Sequence, residues 1–458
     1  MAEKPPEEGY ISVVDEEPEI FALLKWDSAQ THKQHEVRSL ERAKSPERCM
    51  PKSREEADPF DLNDVAFIET YRLPKDLART LCEELKPVMP DSTKSLDLSV
   101  ETKVLATLSF YATGKYQKSI AGKTDPNVTQ YFFMTAVTQV TEAMNHPSIV
   151  KKYIHFPHLR NERDLIKNRF YMKYRIPNVV GCVDCMHVPI AKPDDDHKRH
   201  FNKSYHSKKA QIICDSDQNI LSVDASPGGS LSHDAILQKH AVRNDLESLN
   251  AARDTCWLVG GPHYLQKPYL MTPIPKMTKK TPVSPEKHYT NLHTTTHSSV
   301  LDTIKQLKSR WKCLQATSNK QFDPATVSMI IVACCILHNI CNGRGLPVPP
   351  MGQAEDRLET MKQKVANPPV SKKRVEDALG VQVRNVLIER LWNERSVNEC
   401  IPPKKRMRKE TGNPQPPQPL QMTPAMQEDP SKRARVVMNN PYGLGVGMNP
   451  GWGHYPQH

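Results

Sequence analysis

Two neighbouring stretches, "HSKKAQIICDSD" (206–217) and "QNILSVDASPGG" (218–229), decide the fold of this 458-residue chain. Each contains a short run of residues that favour β-strands, and a polar segment, Asp215 to Asn219, separates the two runs. This arrangement predicts a β-hairpin. The stretch before it, "NVVGCVDCMHVPIA" (178–191), predicts another strand.

A helix, one more strand and two further helices follow the hairpin. "SHDAILQKHAVRNDLESL" (232–249) predicts the first helix, and residues 255–259 predict a buried strand that breaks at 260–262. The last two helices are predicted at about 297–314 and 324–342. The resulting order, β-β-β-α-β-α-α, predicts a mixed α/β layer and is the order of an RNase H-like fold, expected over 161–345.

Helices are expected in the region before the sheet, 61–160. Ser99 is placed to begin a helix and Gly114 to end it. A second helix has one apolar face, because its apolar residues recur at spacings of four, three and four, at Phe133, Val137, Val140 and Met144. Two helices joined by a short connection are compatible with a helix-turn-helix DNA-binding region, and equally with a plain helical bundle.

The ends of the chain have a different composition. Residues 1–60 mix charges and prolines without periodicity and are expected to be disordered. Residues 346–400 include a predicted helix at about 371–392. Residues 401–458 are rich in proline and basic residues, and they too are expected to be disordered. Five basic residues there predict a nuclear localisation signal: Lys404, Lys405, Arg406, Arg408 and Lys409.

The overall charge favours a polyanionic partner. The formal net charge is +11 and the pI is about 9.0, which suits DNA, although a basic tail alone could produce these values. The longest apolar run, 327–341, is too short to span a bilayer, so we expect no membrane contact and a buried helix instead. The 11 cysteines at irregular spacing fit reduced thiols in the nucleus or cytosol.

Asp184 is the first candidate for chemistry, because a carboxylate inside an apolar strand is costly unless it is paired or binds a metal. It is either a metal ligand or an acid at a polar strand edge. Cys182, Cys185 and His187 resemble half of a zinc site but lack a second pair. Asp234, in the first turn of a helix, either favours the helix dipole or takes part in catalysis.

A basic run, "HKRHFNKSYHSKK" (197–209), alternates cations with Phe201 and Tyr205. Such a surface suits phosphate contacts. The alternative is a solvated loop. The residues expected to contact DNA are Lys198, Arg199, Lys203, Lys208 and Lys209.

Together, several blocks of the chain resemble the PIF/Harbinger transposases, and most closely the domesticated Harbinger transposase-derived nucleases. The resemblance spans about 62–395 and rests on "IPNVVGCVDCMHVPI", "SYHSKKAQIICDSDQNILSVDASPGGSLSHDAIL", "WLVGGPHYLQKPYLMTP", "YTNLHTTTHSSVLDTIKQLKSRWKCLQ" and "IIVACCILHNIC", in that order. It implies an RNase H-like core in which three acids hold two divalent metals, Mg²⁺ or Mn²⁺, that cleave DNA. It also implies a helix-turn-helix-like N-terminal region and a separate Myb-like DNA-binding partner.

Carried over position by position, the resemblance puts the three acids at Asp184, Gly261 and Leu301. Only the first is an acid. The strand order and the match around 260–273 predict that Asp184 and Gly261 lie at adjacent strand ends. Asp302 and Asp234 are the candidate substitutes, but an acid at 302 would point about 100° away from one at 301 on a helix. We therefore expect a nuclear DNA-binding protein with a degenerate catalytic centre, rather than an enzyme. The alternative is an active metal-dependent endonuclease that uses Asp184 with a displaced acid.

Overall fold

A mixed five-stranded sheet forms the centre of the protein in a computed structural model, which describes residues 58–90, 98–116, 126–275, 277, 280–315, 322–367 and 375–398. Its strand order is β3-β2-β1-β4-β5. The first three strands pair antiparallel, whereas β4 is parallel to both β1 and β5. The strands are β1 (Val179–Pro189), β2 (Ser207–Cys214), β3 (Ile220–Asp224), β4 (Trp257–Gly260) and β5 (Leu270–Met271).

The predicted hairpin is confirmed, and its turn is stabilised by one carboxylate. Asp215 Oδ1 accepts hydrogen bonds from the backbone N–H groups of Asp217 and Asn219, each at 2.8 Å. Every residue of β2 is buried. A strand covered on both faces is rich in apolar residues, and Ala210, Ile212, Ile213 and Cys214 supply them here.

Helices surround the sheet. Those before it are α1 (Asp64–Tyr71), α2 (Lys75–Leu85), α3 (Val100–Thr113), α4 (Pro126–Met144), α5 (Pro147–Tyr153) and α6 (Arg160–Tyr174). Those within or after it are α7 (His197–His200), α8 (His233–Lys239), α9 (Ala241–Ala251), α10 (Pro285–Arg310), α11 (Pro324–Gly343), α12 (Gln353–Ala366) and α13 (Ala378–Asn398).

The sequence identified the ends of α3 and the buried face of α4 correctly. The Ser99 side chain accepts a hydrogen bond from the backbone N–H of Thr102, and Gly114 ends α3 in the left-handed conformation at φ 67°. The four residues of the predicted apolar face of α4 are all buried. Whether α3 and α4 act as a helix-turn-helix stays a prediction.

One hydrophobic cluster joins the N-terminal helices to the sheet and to α11. The rings of Phe110 on α3 and Phe322 before α11 lie 5.4 Å apart, and Phe110 also contacts Phe133 on α4 at 5.6 Å. α11 is long and apolar enough to cross a membrane by length and composition alone. Ten of its residues are buried in the core, as expected for a central helix of a folded domain.

Three helical predictions were wrong in extent, and one of them, the single helix predicted over 232–249, is divided at His240 into α8 and α9. α10 begins at Pro285 rather than near residue 297, because Ser284 caps it by accepting a hydrogen bond from Lys287 N, and Pro285 stands at its first position. α12 was not predicted at all, and α13 begins at Ala378 rather than near 371. The expectations for 1–57 and 401–458 concern residues outside the described ranges.

Candidate functional site

Asp184 and Gly261 lie side by side on two neighbouring parallel strands; their adjacency was predicted, but only Gly261 is at the end of a strand. Asp184 is in the middle of β1, and Gly261 directly follows β4, whose Gly260 pairs with Val183. A Cβ atom built on Gly261 would lie 3.3 Å from Asp184 Oδ2. A side chain at 261 would therefore point directly at the carboxylate of Asp184.

Two imidazoles contact this carboxylate, one on each oxygen. His233 Nε2 lies 3.4 Å from Asp184 Oδ1, and His297 Nε2 lies 3.3 Å from Asp184 Oδ2. All three side chains are almost fully enclosed. Both distances exceed the usual length of a charge-assisted hydrogen bond, so the contacts are chiefly electrostatic. Asp184 Oδ1 also accepts a hydrogen bond from Cys185 N at 2.7 Å.

The environment keeps Asp184 ionised. Burial raises the pKa of its carboxyl group, but the adjacent imidazoles of His233 and His297 outweigh burial and hold the pKa well below its usual range. The buried carboxylate thus has its partners inside the protein.

His233 is positioned by residues from three elements. It is the first residue of α8, which Ser232 caps. Gln211 on β2 donates through Nε2 to His233 O at 3.3 Å and to the Tyr264 hydroxyl at 3.0 Å. The rings of His263 and Tyr264 contact the His233 ring at 5.0 Å and 5.4 Å, the first stacked and the second edge-on. These contacts fix the imidazole toward Asp184.

His297 is positioned by α10 and by a second histidine one turn earlier. The His293 ring stacks on that of His297 at 6.1 Å, and His293 Nε2 donates to Met271 O at 3.1 Å. Burial, followed by the neighbouring His297, lowers the pKa of His293 to about 3, so this imidazole is neutral. The i, i+4 spacing of 293 and 297 is the signal in the sequence that indicates a histidine pair on one helix face.

Neither the third family position nor the two candidate acids is among the side chains that contact Asp184 in the described part of the chain. Leu301 is 48 % exposed and follows His297 by one helical turn. Asp302 lines a separate cleft of about 340 Å³ with Gln218 and Lys305. Asp234 Oδ1 accepts a hydrogen bond from Leu265 N at 3.3 Å. Across the described ranges, no three His, Cys, Asp or Glu side chains are arranged to hold a metal ion.

The basic run divides into exposed and buried residues. Lys198, Arg199 and Lys203 are exposed. Lys208 and Lys209 were expected to contact DNA, but they are only 4 % and 3 % exposed. Their ammonium groups donate to Ser226 O at 2.6 Å and Leu231 O at 2.8 Å. These two lysines belong to β2 and tie it to the loop that follows β3, so their ammonium groups are buried rather than exposed for contact with DNA.

The half zinc site is not assembled either. Cys182 donates through Sγ to Thr296 O at 3.3 Å, whereas Cys185 Sγ lies 3.5 Å from the Tyr264 hydroxyl. His187 Nδ1 lies 2.9 Å from Ser207 Oγ. Residues three apart on a strand face opposite sides of the sheet, so Cys182 and Cys185 point apart. The basic residues Lys404, Lys405, Arg406, Arg408 and Lys409 fall outside the described part of the chain.

Asp184, His233, Gly261 and His297 all lie within a segment, 183–339, that matches the family model described as DDE superfamily endonuclease. The chain is 32 % identical over 297 residues to the HARBI1 protein of Bos taurus, covering 64 % of this chain and 82 % of the relative, and the figures for Homo sapiens HARBI1 are the same. The chain belongs to the Harbinger transposase-derived nuclease family.

More distant similarity extends to plant proteins. Protein ALP1-like of Arabidopsis thaliana is 25 % identical over 272 residues, which is 56 % of this chain and 64 % of the relative. No solved structure matches the chain.

Proposed function

We propose that this protein is a nuclear DNA-binding member of its family whose metal centre has been dismantled. One observation carries the proposal. Asp184, the one acid retained at the three family positions, has an imidazole on each oxygen and faces a glycine where a second acid would stand.

The residues at this site do not fit two divalent metals. Two ions bring four positive charges into a small volume, and the retained carboxylate supplies one negative charge. Gly261 and Leu301 have no ligand atoms in their side chains. The two oxygens of Asp184 face His233 and His297 at 3.3–3.4 Å, and across the described ranges no three His, Cys, Asp or Glu side chains are arranged to hold a metal ion.

The alternative is an active endonuclease with a displaced acid. Asp302 and Asp234 are the candidates, and each has its own surroundings. Asp302 lines another cleft, and Asp234 accepts a hydrogen bond from Leu265 N. Bringing either carboxylate to Asp184 would require a rearrangement of α10 or of the start of α8. The degenerate centre is therefore the better supported reading.

DNA binding does not depend on the metal centre. Lys198, Arg199 and Lys203 are exposed together around α7. The backbone there is held in place because Gly228 approaches it closely: a Cβ at 228 would lie 2.2 Å from Arg199 O. Exposed cations on a fixed backbone suit phosphate contacts. Lys and Arg also outnumber Asp and Glu in the whole chain, and this net positive charge adds attraction to DNA at longer range.

The proposal includes an RNase H-like core and a helix-turn-helix-like region before it. An antiparallel start followed by a parallel fourth strand supports an RNase H-like core over 161–345. Two packed helices, α3 and α4, support a helix-turn-helix-like region within 61–160; the Tyr111 hydroxyl on α3 lies 2.6 Å from Thr141 Oγ1 on α4. We propose further that the basic tail directs the protein to the nucleus and that a Myb-like DNA-binding protein is its partner.

The test is DNA cleavage with Mg²⁺ and Mn²⁺ on plasmid and hairpin substrates, beside an Asp184→Ala control, together with DNA binding in a salt titration. We expect binding that weakens steeply with salt and no cleavage above the Asp184→Ala background. Cleavage by the wild type that the Asp184→Ala variant lacks would establish the endonuclease instead.

A further inference from the structure

Phe201 is an exposed aromatic residue within the basic run. It directly follows α7, and 42 % of its surface is exposed to solvent. Single exposed apolar side chains are common on protein surfaces and need no explanation by themselves. The surroundings of this ring therefore decide whether it can bind a ligand, and three of their features indicate the same ligand.

The ring is held by a short turn with a fixed backbone. Phe201 and His206 form an isolated antiparallel bridge, and Asn202 N donates to Tyr205 O at 3.0 Å. Inside the turn, the buried Asn202 side chain accepts hydrogen bonds from the backbone N–H groups of Ser204 and Tyr205, at 3.2 and 3.1 Å. Because these bonds close the turn, little backbone freedom is left to be lost when a ligand binds to the ring.

The Phe201 ring contacts one imidazole and keeps part of its surface free. Its centroid lies 5.2 Å from that of His206, and the centroid of His206 lies 6.1 Å from that of His197. Burial, followed by the charges of His197 and Lys192, lowers the pKa of His206, so this imidazole is neutral at pH 7. Phe201 thus ends a row of aromatic rings, and its exposed part can contact a further flat ring.

Exposed cations lie on both sides of Phe201 in the sequence. Lys198 and Arg199 are exposed on α7, and Lys203 is exposed in the turn, where its φ of 79° is left-handed. A phosphate that contacts these cations would place its own nucleotide beside Phe201. Proteins bind single-stranded nucleic acid through this combination, in which cations contact the phosphates and aromatic rings stack on the bases.

We propose that Phe201 stacks on an unpaired base of single-stranded DNA whose phosphates contact Lys198, Arg199 and Lys203. This inference rests on the proposed DNA binding and adds the form of DNA that the basic run prefers. In a duplex each base is already stacked between its neighbours, so its faces are closed to an outside ring. An unpaired base exposes its faces, and stacking on a ring tolerates any of the four bases.

The experiment measures binding of the full chain to a dye-labelled single strand of DNA and to a duplex of the same sequence, at one salt concentration. Phe201→Leu keeps an apolar side chain but removes the aromatic ring. It should weaken single-strand binding about tenfold and duplex binding by less than about twofold. Phe201→Trp keeps a ring and should bind like the wild type. Tyr205→Phe is the matched control in the same turn. It loses only a hydroxyl that contacts Lys362 O at 3.4 Å, and it should change neither affinity.

A second readout detects the stacking itself. A fluorescent base analogue in the single strand is quenched when it stacks on an aromatic ring, so the wild type should quench it and Phe201→Leu should not. A Phe201→Leu variant that keeps its single-strand affinity and the quenching, or that loses both affinities equally, would overturn the inference. So would a wild type that binds duplex but no single strand, and this result would leave the DNA-binding function standing. A wild type that binds neither form of DNA would overturn both.

Discussion

A side-chain carbon on Gly261 would lie 3.3 Å from Oδ2 of Asp184 and 3.2 Å from Nε2 of His297. A side chain at 261 would thus face both the Asp184 carboxylate and an imidazole that contacts it. Asp184 is ionised, and its charge is directed toward two histidines. These two partners explain how a carboxylate is tolerated at this buried position.

Replacing Asp184 should destabilise the fold as well as alter the site. Asp184→Asn removes the negative charge between His233 and His297 and should cost about 2–3 kcal/mol in the free energy of unfolding. Urea denaturation at neutral pH measures this cost. Asp234→Asn is the control and should cost less than half as much, because Asp234 accepts one 3.3 Å bond from Leu265 N. Equal costs would show that the imidazole contacts add nothing.

The exposed and buried halves of the basic run should behave differently in DNA binding. Replacing Lys198, Arg199 and Lys203 together with Gln should lower the slope of log K against log salt by about 2–3, since each phosphate contact contributes about 0.9. Lys208→Met should leave the slope unchanged, because its ammonium is bonded to Ser226 O. An equal loss of slope in Lys208→Met would place that lysine on the DNA.

Lowering the pH should weaken the cluster of ion pairs that joins α6 to Asp254, just before β4. A hydrogen bond from Lys167 lowers the pKa of Asp254. Burial raises this pKa, but a second hydrogen bond, from Arg163, adds to the lowering, and the net shift is downward. Because its pKa is lower in the folded state, ionised Asp254 stabilises the protein at pH values above its unfolded pKa of about 3.9. This stability is lost as the pH falls through the folded pKa.

Asp254→Asn should therefore cost about 2 kcal/mol at pH 7, and the cost should shrink as the pH falls below about 4. Denaturation of both proteins across this range measures the difference. Asp164→Asn, whose side chain is 51 % exposed, should cost under about 0.5 kcal/mol throughout. A cost for Asp254→Asn that stays constant with pH would contradict the assignment.

Nuclear location is expected to depend on the C-terminal tail. Deleting 401–458 removes Lys404, Lys405, Arg406, Arg408 and Lys409, which lie within one short segment. Fluorescence imaging of the tagged full and truncated chains should show loss of nuclear enrichment. A truncated chain that remains fully nuclear would mean that another segment or a partner directs the protein to the nucleus.

Local sequence patterns predicted those parts of the fold that depend on neighbouring residues. The Asp215 turn, the Ser99 cap and the end of α3 at Gly114 were all identified correctly, because each depends on residues within a few positions. The adjacency of Asp184 and Gly261 followed from the order of the strands. Long-range contacts were missed, because His233 and His297 reach Asp184 from two separate helices.

The burial of Lys208 and Lys209 was missed for a related reason. Their charge indicated an exposed surface, but β2 is the neighbour of both β1 and β3 and is covered throughout. Carbonyls of the loop at 226–231 accept both ammonium groups. Nothing in the local pattern distinguishes such lysines from those that remain in solvent.

Manganese binding tests the central claim most directly, by calorimetry on the wild type and on the double variant Gly261→Asp, Leu301→Glu. The double variant Gly261→Asn, Leu301→Gln is the matched neutral control. We expect no specific Mn²⁺ binding by the wild type or the control, and saturable binding by the acidic variant, because three carboxylates can offset the charge of the metal. Wild-type Mn²⁺ binding that disappears in Asp184→Ala would show that the centre still holds a metal and would contradict this account.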